Sequence, residues 1–156
     1  MNKTDYTFHG GLEKEMRIRL EMLREVNGLP ADFVFPPELI TESREFFRNG
    51  DQLTVLATDC GQVVGCATIC FIRLMPTFSH PTGKRAHLMN VYTAEKYRRR
   101  GIARHMTEML IDAAKERGVT EISLDATDAG RPFYLNLGFH TNEEGMVLLL
   151  TPKEPK

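Results

Sequence analysis

Apolar residues near the start of the chain recur at the spacing of an amphipathic helix. After a short stretch of strand character at Tyr6 to His9, residues 12–27 carry such a stripe. Its members are Leu12, Met16, Leu20 and Leu23. Ile18 and Met22 lie outside the stripe, which indicates a second buried face. That face packs against the body of the protein, a partner chain or a substrate.

The pattern then changes from helical to strand-like. A second helix follows Pro36 and Pro37 and ends at Asn49. The next two segments, LTVLATD and QVVGCATICFIRL, are short, apolar and rich in β-branched residues. Cys60 and Gly61 separate them as a turn, so we predict a β-hairpin.

The second half of the chain alternates between the two patterns. The proline-containing segment 76–84 is predicted to be a loop, and the helical pattern that starts at Ile102 ends at Gly118. That helix has a predicted apolar stripe made of Ile102, Met106, Met109, Leu110 and Ala113. We predict strands over AHLMNVY, EISLDAT and GMVLLLT and a short helix over GRPFYLNLG.

The composition describes an ordinary globular protein. The chain has 156 residues, enough for one compact domain over residues 1–156, and its 20 basic and 21 acidic residues argue against a general nucleic-acid binder. Three cysteines, Cys60, Cys66 and Cys70, show no metal-site spacing, and we expect them to be reduced and buried. Without an apolar signal or membrane segment, the expected location is the cytoplasm.

Arg98, Arg99 and Arg100 stand directly before Gly101, where a predicted strand turns into a helix. Such a run is either a solvated basic turn or an anion site. Free N–H groups at a helix start favour an anion, and Gly101 lets a phosphate approach the backbone. Taken with the strand and the helix, the segment predicts a phosphate-binding turn, although it is neither a P-loop nor a dinucleotide fingerprint.

Two signatures in order resemble those of the GNAT family of N-acetyltransferases. Residues 98–103, RRRGIA, resemble the family's acetyl-CoA motif, Q/R-x-x-G-x-G/A, and GRPFYLNLGF is similar to its tyrosine-bearing helix. The resemblance implies an α/β (α+β) fold, with a mixed, mostly antiparallel central sheet flanked by helices. It also implies transfer of an acetyl group from acetyl-CoA to a primary amine of a small molecule or protein.

The resemblance further implies which residues bind the coenzyme. The pyrophosphate is expected on the turn and helix start, and the pantetheine arm is expected to pair like an extra strand with the end of the preceding strand. The turn residues are Arg98, Arg99, Arg100, Gly101, Ile102, Ala103 and Arg104, and the strand residues are Val91, Tyr92 and Thr93.

Three residues are candidates for the chemistry. Tyr134 matches the tyrosine that the family often uses to protonate the leaving thiolate, although packing with Phe133 and Phe139 also explains it. His87, on a predicted strand, is a candidate for accepting the amine proton, although a structural or exposed histidine also explains it. Asp125, on the polar face of another predicted strand, is a candidate for binding a cationic amine or relaying its proton, although a surface or strand-end aspartate also explains it. Water is the alternative to both.

Other classes of function have less support. The principal alternative is a catalytically idle acyl-CoA-binding or sensing domain, and a nucleic-acid-binding module lacks stacking aromatics. The scattered histidines His9, His80, His105 and His140 predict no metal site. Ile18, Met22 and the strand-rich C-terminus favour a homodimer over a monomer.

Overall fold

The computed structural model describes residues 3–151, and the chain forms two compact units, Met1–Leu124 and Asp125–Lys156. The elements of the first unit are β1 (Asp5–Phe8), α1 (Leu12–Val26), α2 (Pro37–Asn49), β2 (Gln52–Asp59), β3 (Gln62–Arg73), β4 (Lys84–Thr93), a 3₁₀ turn (Glu95–Tyr97), α3 (Ile102–Glu116) and β5 (Glu121–Ser123). The described part of the second unit contains α4 (Arg131–Asn136). No helix between residues 3 and 151 combines the length and apolar character that crossing a bilayer requires.

The first unit is built on a five-stranded sheet in the order β1-β2-β3-β4-β5. Neighbouring strands are antiparallel except β4 and β5, which are parallel. The predicted hairpin forms between β2 and β3, and both of its turn residues, Cys60 and Gly61, have positive φ, at 51° and 79°. That conformation gives the two-residue turn whose twist matches that of antiparallel strands. The predicted fold class is confirmed.

Helix α3 packs against the sheet through residues four positions apart. Ile102, Met106, Leu110 and Ala114 are buried. Met109 and Ala113 of the predicted stripe are only half-buried, whereas the structure also buries Thr107 and Ala114. Met106 lies over Gly65, where an added Cβ would come within 3.2 Å of the Met106 methyl group. The glycine therefore lets the helix approach β3 closely.

Helix α1 uses both of its predicted faces within its own chain. Ile18 belongs to a buried cluster with Leu56 and Cys66 of the sheet. Met22 packs with Leu23 and Phe35 in a second cluster. Of the three explanations that the sequence leaves open for Ile18 and Met22, the structure shows packing against the body of the protein.

Two predicted strands differ from the structure. The EISLDAT strand ends at Ser123, so Asp125 lies outside it rather than on its polar face. The GMVLLLT segment, residues 145–151, forms no strand, and its apolar side chains are exposed. An apolar, β-branched pattern predicts a side-chain environment, but a strand also requires a hydrogen-bonding neighbour, and the described residues supply none for this segment.

The three cysteines are free, but they are not all buried as predicted. Cys66 is buried and Cys70 is half-buried, whereas Cys60 is exposed because it occupies the hairpin turn. The homodimer remains a prediction. Ile18 and Met22 are covered by their own chain and no longer argue for it.

Candidate active site

The turn between β4 and α3 has an unusual backbone. Arg99 has a φ of 63° and Gly101 a φ of 80°, so two residues in three adopt the left-handed conformation. A non-glycine residue rarely adopts it, and such positions concentrate at functional sites. A Cβ added to Gly101 would meet no atom within 4 Å, which means that this residue faces open space. Backbone conformation, rather than crowding within the protein, requires glycine here.

The first turn of α3 presents unused backbone donors beside this glycine. The first hydrogen bond of the helix joins the His105 N–H to the Gly101 carbonyl at 3.0 Å. The N–H groups of Ile102 and Ala103 therefore have no acceptor inside the helix. Gly101 is the N-cap and has no side chain to cap them. Together with the helix dipole, these amides form a site suited to an anion.

Arg98 has a structural task within the chain. Its Nε donates to the Thr93 carbonyl at 2.8 Å, and its Nη2 contacts both carboxylate oxygens of Glu25 at 2.8 and 2.9 Å. Burial raises the pKa of Glu25, but hydrogen bonds from Tyr92 and Arg98 and the charge of Arg98 outweigh it, so the pKa lies below its ordinary value. Arg98 thus ties the end of β4 to α1.

The remaining arginines differ in how they are held. The Arg100 guanidinium lies 5.1 Å from the centre of the Tyr97 ring, and Arg104 pairs with Glu108 one turn along the helix. Arg99 makes no side-chain hydrogen bond or ion pair with any of residues 3–151. Arg100 has this ring contact but no ion pair in the same range, so the charges of both Arg99 and Arg100 are available to a ligand.

Strand β4 has an open edge just before this turn. The parallel ladder between β4 and β5 ends where His87 faces Ser123, so within the described sheet the rest of β4 has only β3 as a neighbour. A β-bulge interrupts the other ladder at Asn90, whose φ is 58°. The backbone groups of Val91, Tyr92 and Thr93 follow this bulge. An extended ligand can pair with such an edge as a strand does.

A cavity of about 240 Å³ lies on the face of the sheet that α1 and α2 cover. Its lining comprises Arg19, Leu39, Glu42, Ser43, Phe46, Phe47, Thr68, Cys70, Met89 and Asn90. Met89 and Asn90 belong to β4 and immediately precede the open edge. The cavity and the edge are therefore continuous along one strand.

His87 lies close to this cavity. It is the register partner of Cys70, which lines the cavity wall. Its Nδ1 is 2.8 Å from the Ser123 hydroxyl oxygen, and that hydroxyl donates to the Ala86 carbonyl at 3.4 Å. Which of the two atoms donates in the His87–Ser123 contact depends on the tautomer of the imidazole. The position of His87 beside the cavity keeps it a candidate proton acceptor.

The other two chemical candidates belong to the second unit. Tyr134 lies on α4, and its ring makes edge-to-face contacts with Phe133 and Phe139 at centroid distances of 4.9 and 5.8 Å. Burial raises the pKa of Tyr134, so the phenol is protonated at neutral pH. Asp125 is exposed and lies just after the end of β5.

Comparison with known proteins decides the family. The sequence model of the Acetyltransferase (GNAT) family matches residues 20–139 of the chain. The protein belongs to the GNAT family. This confirms the resemblance seen in the two signatures and the expected class of enzyme, an acetyltransferase.

Individual GNAT relatives agree with this assignment. A predicted acetyltransferase from Clostridium acetobutylicum, solved with acetyl-CoA, is 28% identical and has a TM-score of 0.82, covering 95% of this chain and 97% of that one. A GCN5-related N-acetyltransferase from Ralstonia eutropha JMP134 shares the fold, with 21% identity, a TM-score of 0.73 and coverage of 97% and 100%. Glucosamine 6-phosphate N-acetyltransferase of Trypanosoma brucei brucei is 27% identical over 88 residues, which span 56% of this chain and 58% of that protein's length.

GNAT enzymes use acetyl-CoA. The sequence alone does not identify every residue that lines the candidate site. The sequence does not predict Arg19, Thr68, Cys70 and Asn90 as site residues, because they come from separate elements and form no local motif. One signal was present. Arg19 follows Ile18 directly and stands three residues before Met22, which places a cation beside the second buried face of α1.

Proposed function

We propose that this GNAT protein transfers the acetyl group of acetyl-CoA directly to a primary amine. The observation that carries the proposal is the open edge of β4 leading into the amide-rich turn before α3. A pantetheine arm needs an extended backbone partner, and a pyrophosphate needs several N–H donors. The chain offers both in this order along a few residues.

The coenzyme is proposed to lie along β4 and the turn. Val91, Tyr92 and Thr93 supply backbone partners for the pantetheine arm, and the amides of Arg99 to Arg104 receive the pyrophosphate. Arg99 adds charge, whereas Arg98 contributes by holding the turn against β4 and α1. Gly101 keeps the surface of the turn open for the phosphates.

The proposed chemistry is one direct displacement. The amine nitrogen attacks the thioester carbonyl carbon, the C–N bond forms, and the C–S bond breaks with its electron pair going to sulfur. Tyr134 donates its phenolic proton to the leaving thiolate, and its raised pKa keeps the phenol protonated until then. The amine proton goes to His87, to Asp125 or to water; the position of His87 beside the cavity favours the histidine.

The acceptor is proposed to be a small-molecule amine rather than a protein. The trypanosomal relative is named for a small amino sugar phosphate, and the cavity of about 240 Å³ has the size of a small-molecule fragment. A protein lysine remains the alternative acceptor. A catalytically idle acyl-CoA-binding domain is the alternative to catalysis itself.

The test is release of free CoA thiol from acetyl-CoA over a panel of amines, with peptide lysines included. We expect thiol release that depends on the amine, with acetylated amine formed in equal amount. Glucosamine and glucosamine 6-phosphate belong in the panel. Binding of acetyl-CoA without amine-dependent thiol release for any acceptor would support the idle domain instead.

A further inference from the structure

Arg19 is a cation without a counter-ion at the wall of the cavity. Its Nη1 donates to the side-chain oxygen of Asn90 at 3.0 Å, and none of the ion pairs among residues 3–151 includes it. Burial lowers the pKa of Arg19, but a guanidinium stays protonated at neutral pH. Glu42 is the acidic residue of the lining, and it is not paired with Arg19. Arg19 thus lines the cavity as a cation that no direct ion pair neutralises, alongside the Glu42 carboxylate.

A series of buried and partly buried hydrogen bonds fixes the position of the Arg19 side chain. Asn90 Nδ2 donates to the Thr68 hydroxyl at 3.1 Å, and the Thr68 and Thr54 hydroxyl oxygens are 2.7 Å apart. Thr54 donates to Gln52 Oε1 at 2.7 Å, and Gln52 Nε2 donates to the Phe47 carbonyl at 3.0 Å. This series of hydrogen bonds therefore runs from α1 through three strands to the end of α2.

In this series of hydrogen bonds, every donor hydrogen points away from Arg19 and toward Phe47. The Gln52 NH₂ group donates to the Phe47 carbonyl, so the Gln52 side-chain oxygen must accept from the Thr54 hydroxyl. The only hydrogen of that hydroxyl is then used, and Thr54 can contact Thr68 only as an acceptor. Thr68 donates to Thr54 and accepts from the Asn90 NH₂ group, which leaves the Asn90 oxygen facing Arg19. Bonds aligned in this way strengthen one another. The site therefore presents an acceptor to one N–H of Arg19 and leaves other guanidinium donors unused.

We propose that the acetyl acceptor carries a negatively charged group, a carboxylate or a phosphate, which binds Arg19 in this cavity. The inference rests on the proposed function and names its substrate class. A guanidinium in a partly buried site gains most from a planar or multidentate anion. The apolar walls at Leu39, Phe46 and Met89 then take the carbon skeleton of the acceptor.

The direction of the cavity agrees with this class of acceptor. Met89 and Asn90 immediately precede Val91 to Thr93, where the pantetheine arm is proposed to lie. An acceptor anchored by its anion at Arg19 extends along β4 toward that edge. Its amine then points at the thioester, which places amine and anion at opposite ends of one small molecule.

The first experiment compares matched acceptors that differ in charge. One pair is an ω-amino acid and its amide, and the other is phosphoethanolamine and ethanolamine, so the two pairs separate carboxylate from phosphate. We expect the wild type to prefer an anionic member by ~10- to 100-fold in kcat/KM, the range for hydrogen bonds to charged groups. In Arg19→Met the preference disappears, Arg19→Lys retains part of it, and the KM for acetyl-CoA stays the same.

Arg17→Met is the matched control. Arg17 is an exposed arginine on the same helix and does not line the cavity. We expect this variant to keep the wild-type preference. Equal kcat/KM for both members of each pair in the wild type, or an equal loss for both members in Arg19→Met, would overturn the proposal while leaving the acetyltransferase assignment intact.

The second experiment needs no turnover. Cys70 lines the cavity, and the charge of Arg19 acts to lower the pKa of its thiol against the effect of burial. Alkylation with iodoacetate, an anion, and with iodoacetamide, its neutral counterpart, is followed at Cys70 by mass spectrometry. We expect the ratio of the iodoacetate rate to the iodoacetamide rate to fall by ~5-fold or more in Arg19→Met, because the cation no longer attracts the anionic reagent.

Cys60 serves as an internal control in the same protein. It is exposed in the hairpin turn, so the ratio of its two alkylation rates reflects only the intrinsic reactivities of iodoacetate and iodoacetamide. The ratio at Cys60 should not change in Arg19→Met. If the ratio at Cys70 also stays constant in a variant whose circular dichroism matches the wild type, Arg19 does not present its charge to the cavity, and the proposal is wrong.

Discussion

The turn before α3 and the cavity beneath α1 and α2 both offer positive charge, but they build it from different parts of the chain. In the turn the donors are main-chain amides at the start of α3, supported by two left-handed residues, and neither Arg99 nor Arg100 has an ion pair among residues 3–151. In the cavity the donor is one side chain, Arg19, and its position depends on Asn90 and on a line of hydroxyl and amide groups behind it.

This difference separates what each region is suited to recognise. Main-chain amides are present whatever the side chains are, so such a site keeps one ligand while the surrounding sequence varies. The position of a side chain that four other residues hold changes when any one of those residues is substituted. The turn therefore suits a coenzyme that a whole family shares, and the cavity suits an acceptor that differs between its members.

Gly101→Glu should have the largest effect and should fall on the coenzyme alone. The substitution puts a carboxylate into the open space of the anion site and strains a position whose φ is 80°. We expect calorimetry to detect no binding of acetyl-CoA to the folded variant, because bulk and negative charge then occupy the anion site. Gly28→Glu is the control, since Gly28 is also left-handed and open but lies at the end of α1. Unchanged affinity in Gly101→Glu would remove the coenzyme assignment of the turn.

Tyr134→Phe tests a step that belongs to neither anion site. The ring keeps its contacts with Phe133 and Phe139, but the hydroxyl is lost. We expect kcat to fall ~10²- to 10⁴-fold, with coenzyme affinity unchanged, because a proton donor to sulfur acts in the transition state. Tyr6→Phe is the matched control and should turn over normally. A wild-type rate in Tyr134→Phe would make Tyr134 a packing residue.

Thr68→Val cuts the hydrogen-bonded chain behind Arg19 without touching the cation. It leaves the Asn90 amide without its acceptor and removes the Thr54 contact with residue 68, whereas the bond from Thr54 to Gln52 remains. We expect the KM for an anionic acceptor to rise by ~10-fold and the free energy of unfolding, measured in urea, to fall by ~1–3 kcal/mol. Thr68→Ser restores the hydroxyl and should recover the KM. A lower stability with an unchanged KM would show that the chain does not position Arg19.

Glu25→Gln should have the smallest effect and should depend on pH. The folded pKa of Glu25 lies below its ordinary value of 4.5, so its stabilising contribution is present above that pH and is lost as the pH falls through the folded pKa. The pair with Arg98 is well exposed, so we expect a loss of only ~0.5 kcal/mol at pH 7. The difference from wild type in urea unfolding should vanish in strong acid; a constant difference at all pH values would exclude the pair as its cause.

The same contrast explains what the sequence predicts well. The coenzyme turn is read from contiguous residues, since Arg98 to Ala103 form one motif and Gly101 has a conformational reason to be glycine. Helices and strands with a strong period, such as α1 and the β2–β3 hairpin, were also predicted close to their observed bounds.

Features that depend on distant partners were not predictable in this way. The hydrogen bond between Arg19 and Asn90 joins residues 71 positions apart, and no local pattern relates them. The different roles of Arg98 and Arg99 depend on φ angles and on the fact that Arg98 is bound by Glu25. The predicted strand over residues 145–151 had the right side chains but has no hydrogen-bonding neighbour in the described chain. Sequence period reports local preference, whereas these features follow from tertiary pairing.

The one-way order of the buried hydrogen bonds has a consequence for how such proteins diverge. Each member of the series donates a hydrogen bond to one neighbour and accepts one from another; the members are Asn90, Thr68, Thr54 and Gln52. Replacing one of them by an apolar residue leaves a neighbour unsatisfied, so a second replacement becomes favourable as soon as the first is fixed. Across homologues, positions 52, 54, 68 and 90 are therefore expected to change as a set, and to change together with position 19 wherever the acceptor has lost its charge.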